Sequence, residues 1–220
     1  MADAPKGIGL TPEIHAYLVA HGSAPDAVQR DLIAETEALG GISKMQIAPE
    51  QGAFMAMLAR VAGARRAVEI GTFTGYSALC VARALPDDGR LLALDVSEEW
   101  TRIARRFWER AGVAGKVDLR IGPALETLRS LPRETCFDFA FIDGDKREYA
   151  EYYEEILGRM DAGGLILVDN VLWGGEVVDA ATPRTSTRAI RAFNDFVASD
   201  GRVEAVMLPI SDGLTIARKR

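Results

Sequence analysis

Between residues 67 and 168 the chain repeats one pattern: a short apolar run, a turn bearing glycine or acid, then a helix-length amphipathic stretch. The apolar runs fall at 67–70, 91–95, 117–121, 137–142 and 164–168, and the helical stretches between them at 76–85, 97–111, 124–130 and 147–160. A short apolar run bounded by turn signals reads as a strand buried on both faces. Strands that alternate with helices in this way build parallel βαβ units, so the sheet must carry helices on both sides. Two further strands, 203–209 and 214–217, follow a helix at 186–199 and are joined by Ile210-Ser211-Asp212-Gly213. A short glycine-containing link makes a hairpin, which forces one late strand to run antiparallel. The expected fold is therefore α/β: a Rossmann-like, doubly wound, mostly parallel seven-stranded sheet with a C-terminal antiparallel hairpin.

Local signals agree with this division. Ser97 caps a helix whose first turn carries Glu98 and Glu99, as the helix dipole favours. Pro49 suits a first helical turn, where its missing N–H costs nothing. Before the alternation begins, helices are expected from Thr11 to Gly22, from Pro25 to Leu39 and onward from Pro49, with residues 1–10 frayed. A chain of 220 residues is long enough for one well-buried domain over 1–220 and short for two.

Composition narrows the class of partner. The formal charge is −6 and no basic block stands out, although Arg218-Lys219-Arg220 closes the chain. A nucleic-acid partner is therefore not expected, since phosphate binding leaves a basic face. Cys80 and Cys136 lie inside apolar runs and read as buried free thiols in a reducing compartment, and no Cys/His cluster suggests zinc. His15 and His21, near the start, read as structural or exposed. No signal peptide and no membrane-spanning apolar run is present, so the expected location is cytoplasmic, with no membrane partner.

Ligands of an open parallel sheet bind outside the carboxyl ends of its strands. At the first of these, Glu69-Ile70-Gly71-Thr72-Phe73-Thr74-Gly75 follows a strand and opens a helix. Its glycines let a ligand approach the backbone. The spacing is Gly-x-x-x-Gly, not the Gly-x-Gly-x-x-Gly of a dinucleotide cradle, and Glu69 places negative charge where a pyrophosphate wants none. A nicotinamide dehydrogenase is the nearest rival and fits less well on both counts. Asp95 ends the next strand, where a carboxylate accepts hydrogen bonds from ribose hydroxyls. A cationic adenosine cofactor, the sulfonium S-adenosylmethionine, satisfies both features. The plain alternative is a tight turn beside a solvated strand end.

The other rim is acidic. Residues 137–142 run into Asp143-Gly144-Asp145-Lys146, and residues 164–168 into Asp169-Asn170. Asp143, Asp169 and Asn170 offer hard oxygen donors of the kind Mg²⁺ takes, with remaining positions for water and substrate. A catechol, with adjacent hydroxyls, would fill two of them. The charges then balance: Mg²⁺ against two aspartates, a catecholate against a sulfonium. Asp145 counts as a fourth candidate ligand on position alone, and Lys146 as a base or as electrostatic partner of the substrate oxygen. Asp138 shares the strand but has no reason to reach the rim. Taken singly, each acid is equally an ordinary turn residue.

The segments Glu69-Ile70-Gly71-Thr72-Phe73-Thr74-Gly75-Tyr76-Ser77, Asp95, Gly122-Pro123-Ala124, Phe141-Ile142-Asp143-Gly144-Asp145-Lys146 and Val168-Asp169-Asn170-Val171-Leu172-Trp173 occur in that order. In this series the chain resembles the metal-dependent catechol and caffeoyl-CoA O-methyltransferases, in a bacterial-type form, from about Met45 to the C-terminus. The resemblance implies that Asp143, Asp169 and Asn170 hold a divalent cation and that Lys146 is the general base. It implies S-adenosylmethionine contacts from Ile47, Glu69, Gly71, Thr72, Ser77, Asp95, Ala124 and Asp145, which moves Asp145 from metal to cofactor. The acceptor, a catechol-type small molecule, would meet Asp143, Lys146, Asn170 and Trp173, with the loop 171–185 as a wall. Residues 1–45 would form a helical cap that helps shape the acceptor site, and a homodimer is implied. Tyr149, Tyr152 and Tyr153 are expected to pack or to form an interface. Two positions depart from the family: Gly174 stands where plant caffeoyl-CoA enzymes carry an acceptor-touching asparagine, and Ile47 where a cofactor-contacting threonine is usual.

Overall fold

Strand β1 (Arg66–Ile70) pairs in parallel with β2 (Arg90–Asp95) on one side and with β4 (Phe137–Ile142) on the other. The computed structural model in which this is seen describes residues 9–220, so the expected fraying of residues 1–10 lies almost wholly outside the described residues. Beyond β2 lies β3 (Val117–Ile121), and beyond β4 lies β5 (Met160–Val168). The hairpin of β6 (Val203–Leu208) and β7 (Leu214–Lys219) completes the sheet in the order β3-β2-β1-β4-β5-β7-β6. Only β7 runs against the direction of the other strands, as the short glycine-containing link requires. The chain winds outward from β1 to β3 and then crosses back to β4. The crevice for a ligand therefore opens at the carboxyl ends of β1 and β4.

Helices cover both faces. Ahead of the sheet, α1 (Pro12–His21) buries no residue, while α2 (Ala27–Glu37) and α3 (Pro49–Val61) supply Leu32, Met55 and Ala59 to one face. The same face receives α4 (Tyr76–Ala84) and α5 (Glu98–Arg110) through Leu79, Phe107 and Trp108. The opposite face is covered by α6 (Ala124–Ser130), α7 (Tyr149–Leu157) and α8 (Thr185–Ser199) through Leu128, Tyr153 and Phe193. Alternation along β4 sends Phe139 and Phe141 into the first layer and Ala140 and Ile142 into the second. Burying a phenylalanine contributes on the order of 1.5–3 kcal/mol. The rim residues thus stand on a strand fixed from both sides.

Several boundaries differ from expectation. The helix expected to reach Met160 stops at Leu157, and Met160 already belongs to β5. Register with β4 jumps from Phe137↔Met160 to Phe139↔Leu165, so the intervening residues loop out. Gly163 takes a left-handed φ of 92 there, and a Cβ on Gly164 would collide with the Met160 side chain. Gly40–Met45 and Trp173–Val178, expected as loop, form 3-10 turns. Cys80 is buried, but Cys136 is only half-buried, with Sγ 3.0 Å from Asp161; both thiols are free. Asp138 faces the amino end of the sheet, where it accepts the backbone N–H groups of Arg65 and Arg66. His15 bonds Glu50 at 2.9 Å, and His21 stacks on Tyr17.

Candidate active site

The glycine turn after β1 is held from three directions. Gly71 has a φ of 86, and a Cβ there would run into the carbonyl of Asp143. Gly75 has a φ of 85 at the start of α4, and the Trp108 indole donates to its carbonyl at 3.1 Å. Asp95 closes the loop from β2. Its Oδ2 accepts Thr72 N–H at 2.9 Å and Phe73 N–H at 2.7 Å, and its Oδ1 accepts Ser97 N–H at 2.7 Å. The carboxylate expected to meet a ribose thus organises the turn first, which leaves acceptor capacity mainly at Oδ1.

Glu69 lies under this turn and is 1 % exposed. Neither of its carboxylate oxygens closes a hydrogen bond. Burial raises its pKa to about 8, partly offset by the nearby Ser77 and Thr72 hydroxyls and reinforced by Asp143 and Asp95. An unpartnered buried carboxyl is costly unless a donor or cation comes to it.

At the other rim the ends of β4 and β5 are tied level. Asp143 N–H donates to Ile70 O at 2.8 Å, and Asp169 N–H to Ile142 O at 3.0 Å. Lys146 Nζ lies 2.7 Å from Asp143 Oδ1, with the Tyr149 ring centroid at 4.9 Å and that of Trp173 at 5.9 Å. Asn170 follows with a left-handed φ of 56, and its N–H donates to Asp169 Oδ1 at 2.8 Å. Tyr149 Oη donates to the Asp169 carbonyl at 3.1 Å, which anchors the strand end. Burial, then the charge of Asp143, push the Asp169 pKa up to about 7, against the Asn170 N–H, the Gln51 amide and Lys146. Burial also raises Asp143, although Lys146 opposes it. One buried and one half-buried carboxylate beside a single lysine leave negative charge that a divalent cation would complement. Among the described residues no cluster of three or more His, Cys, Asp or Glu offers a metal site, so the available donor set is two carboxylates and one amide.

These shifts have a consequence for stability, and linkage gives its sign. An acid whose folded pKa exceeds its unfolded value keeps a proton that the unfolded chain has lost, so stability falls as pH rises between the two values. That window runs from 3.8 to about 7 for Asp169 and from 4.5 to about 8 for Glu69. The lowered Asp145 and Asp200 act the other way, but their contribution is complete above their unfolded pKa of 3.8. Thermal melts in chelator should therefore give a lower melting temperature at pH 8.5 than at pH 5.5. A melting temperature that rises over that interval would contradict the shifts.

One cavity of about 780 Å³ joins the two rims. It is lined by Ile47, Gly71, Thr72, Ser77, Asp95, Ala124, Asp143, Asp145, Lys146, Asp169, Asn170 and Trp173, which brings every expected site residue together except Glu69, held just beneath. Asp145 is committed to Arg147, whose backbone N–H and guanidinium it accepts, and that pairing keeps its pKa low. Tyr149 and Tyr153 pack in the core as expected, whereas Tyr152 also lines the cavity. Two residues at the acidic rim escaped the sequence reading. Gln51 is wholly buried beside Asp169, with both amide atoms unpaired. Its signal was available: Gln51, Met55 and Ala59 share one buried stripe of α3, and a polar residue there needs a partner. Asp212 also lines the cavity and carried no local signal, because Ser-Asp-Gly is an ordinary turn.

Comparison with known proteins agrees with this arrangement. A family model described as O-methyltransferase matches residues 20–220. Tricin synthase 2 of Oryza sativa subsp. japonica is 40% identical, over 99% of this chain and 78% of that protein. Caffeoyl-CoA O-methyltransferase 1 of Zea mays is 43% identical, over 80% of this chain and 72% of that protein. Among solved structures, the O-methyltransferase from Bacillus cereus, determined in complex with SAH, superposes with a TM-score of 0.87 at 32% identity, covering 94% of this chain and 97% of that one. Strand order, the acidic rim and the extent of these matches lead to one assignment: the chain belongs to the O-methyltransferase family.

Proposed function

We propose that the protein transfers a methyl group from S-adenosylmethionine to one hydroxyl of a catechol-type small molecule, in a reaction that depends on a divalent cation such as Mg²⁺. The observation that carries this reading is the pair of half-buried Asp143 and buried Asp169, with Asn170 alongside and Lys146 at 2.7 Å from Asp143, at one end of a cavity whose other end is the Asp95-clamped glycine turn. Two carboxylates and an amide fit a hard cation; burial, and for Asp169 next the charge of Asp143, raise both carboxyl pKa values, and a cation would offset that cost. When bound, that cation supplies a Lewis acid for a chelated hydroxyl, and S-adenosylmethionine supplies the electrophilic methyl.

The remaining roles belong to the chain. Asp143, Asp169 and Asn170 would hold the cation. Gly71, Thr72, Ser77, Asp95, Ala124 and Asp145 would hold the methyl donor, with Ile47 as an apolar contact. Phe73 and Trp100, edge to face at 5.1 Å, give that end an aromatic wall suited to a flat base. Glu69, beneath the turn, would counter the sulfonium charge at a distance. Lys146, in its unprotonated form, would take the hydroxyl proton at Nζ. Trp173 would wall the acceptor, and Gly174, which presents no side chain where a Cβ would meet nothing, leaves that wall open for ring substituents.

Lys44 and Met45 reach the cavity from the N-terminal segment, which supports a helical cap within a single domain for the described part of residues 1–45, from residue 9 on. The same reading carries a cytoplasmic homodimer acting on a small molecule, with no nucleic-acid partner. Charge of −6 supports the last point, and no helix among the described residues is long and apolar enough to cross a membrane.

Purified protein with labelled S-adenosylmethionine and a panel of catechols, from simple ones to coenzyme A esters, should give methylated product only with Mg²⁺ or a similar cation. Full turnover in excess chelator would remove the cation from the mechanism.

A further inference from the structure

Asp212 lines the cavity but has no task in the reading above. It lies in the link between β6 and β7, 42 residues beyond Asn170. Its Oδ1 accepts Gly174 N–H at 2.5 Å, and its Oδ2 lies 3.4 Å from Asn170 Nδ2. Its carbonyl accepts Leu172 N–H at 3.0 Å, and the Gly213 carbonyl accepts Val171 N–H at 3.2 Å. Together these bonds stitch the segment 170–174 to the hairpin tip. That segment needs an external hold, because Asn170, Trp173 and Gly174 take left-handed φ values of 56, 48 and 59. Side chains other than glycine persist there only where the surroundings enforce it.

The bond to Asn170 also has a chemical direction. A carboxylate only accepts, whereas a carboxamide donates from one end and accepts at the other. Asp212 therefore selects which end of the Asn170 amide turns to the hairpin, namely Nδ2. The oxygen end is left for the acidic rim. At 3.4 Å the bond is long, so its effect is orientation more than energy.

We propose that Asp212 is a positioning residue: by taking the Asn170 amide nitrogen it presents Asn170 Oδ1 as the third protein oxygen of the cation site, and by taking Gly174 N–H it holds the turn that carries Trp173. The inference rests on the cation reading under Proposed function and extends it to a residue outside the donor set. Outer partners of this kind typically change metal affinity by about 10–100-fold when removed.

Asp212→Asn separates orientation from packing. The new side chain keeps the shape and can keep its oxygen on Gly174 N–H, but it then turns an NH₂ group toward Asn170. Two donors cannot pair, so the Asn170 amide flips and offers its NH₂ to the cation. Titration of the full-length protein with Mn²⁺, followed by electron paramagnetic resonance, should show affinity reduced about 10–100-fold. Affinity for S-adenosylhomocysteine and the melting temperature in chelator should stay near wild type. The exchange variant Asp212→Asn/Asn170→Asp restores one donor facing one acceptor and should recover Mn²⁺ binding. Unchanged Mn²⁺ affinity in Asp212→Asn, or an exchange variant no better than the single one, overturns the inference alone. Absence of Mn²⁺ binding by the wild type overturns the cation reading and the inference with it.

Discussion

Asp169→Asn should abolish methyl transfer and, at the same time, stabilise the cation-free protein above pH 7. The carboxylate is 4 % exposed and sits beside Asp143, so its charge is unfavourable until a cation arrives. An amide of the same shape removes that penalty. In chelator at pH 8.5 the variant should therefore melt at a higher temperature than wild type. At pH 5.5 the difference should shrink, because with a pKa of about 7 the wild-type side chain is then protonated and equally neutral. Activity moves the opposite way. Lewis-acid assistance is worth several kcal/mol, and each 1.36 kcal/mol is tenfold, so turnover should fall at least about 10³-fold. Added Mg²⁺ should not restore it. Retained turnover with unchanged Mg²⁺ dependence would exclude Asp169 from the cation site.

Lys146→Ala should lower kcat by about 10²–10⁴-fold, the usual contribution of a positioned general base, with S-adenosylhomocysteine affinity unchanged. Its pH profile should tell a base from a structural group. Without a base the reaction waits for the substrate hydroxyl to ionise unaided, so the residual rate should climb toward the phenol value near ~10 and the gap to wild type should narrow. Lys146→Arg is the sharper comparison. Arginine keeps a cation available to Asp143 and to the Tyr149 ring, but it does not give up its proton in a protein. Activity in the arginine variant should stay as low as in the alanine one. Recovery with arginine would assign Lys146 to charge balance instead of proton transfer.

These two experiments address different parts of one cluster, and its parts were legible to different degrees. Strand ends at Asp95, Asp143 and Asp169 could be read directly, because an apolar run that meets a carboxylate marks both a strand and its carboxyl terminus. Parallel alternation then put those ends on one rim. The hairpin was legible from its glycine-containing link, and so was the single antiparallel strand. Less visible was what each group would be bonded to. Asp95 was expected to face a ribose, yet two loop N–H groups already occupy its Oδ2. Asp145 looked like a fourth metal ligand until the resemblance moved it to the cofactor, and its pairing with Arg147 two residues on takes it out of the Asp143/Asp169 pair. Met160 was read as the end of a helix because its strand is interrupted by a register jump, which no period of apolar residues reveals.

Local sequence thus determined the elements, their order and the chemistry carried to the sheet's carboxyl edge, since apolar period, caps and turn residues act over a few positions. Tertiary structure alone decided the burial that raises Asp169 and Glu69, the partner that each carboxylate serves, and the arrival of Gln51 and Asp212 at the acidic rim. The physical reason is range. Helix and strand signals are local, whereas desolvation, charge repulsion and the direction of an amide depend on groups that meet only once the sheet is assembled.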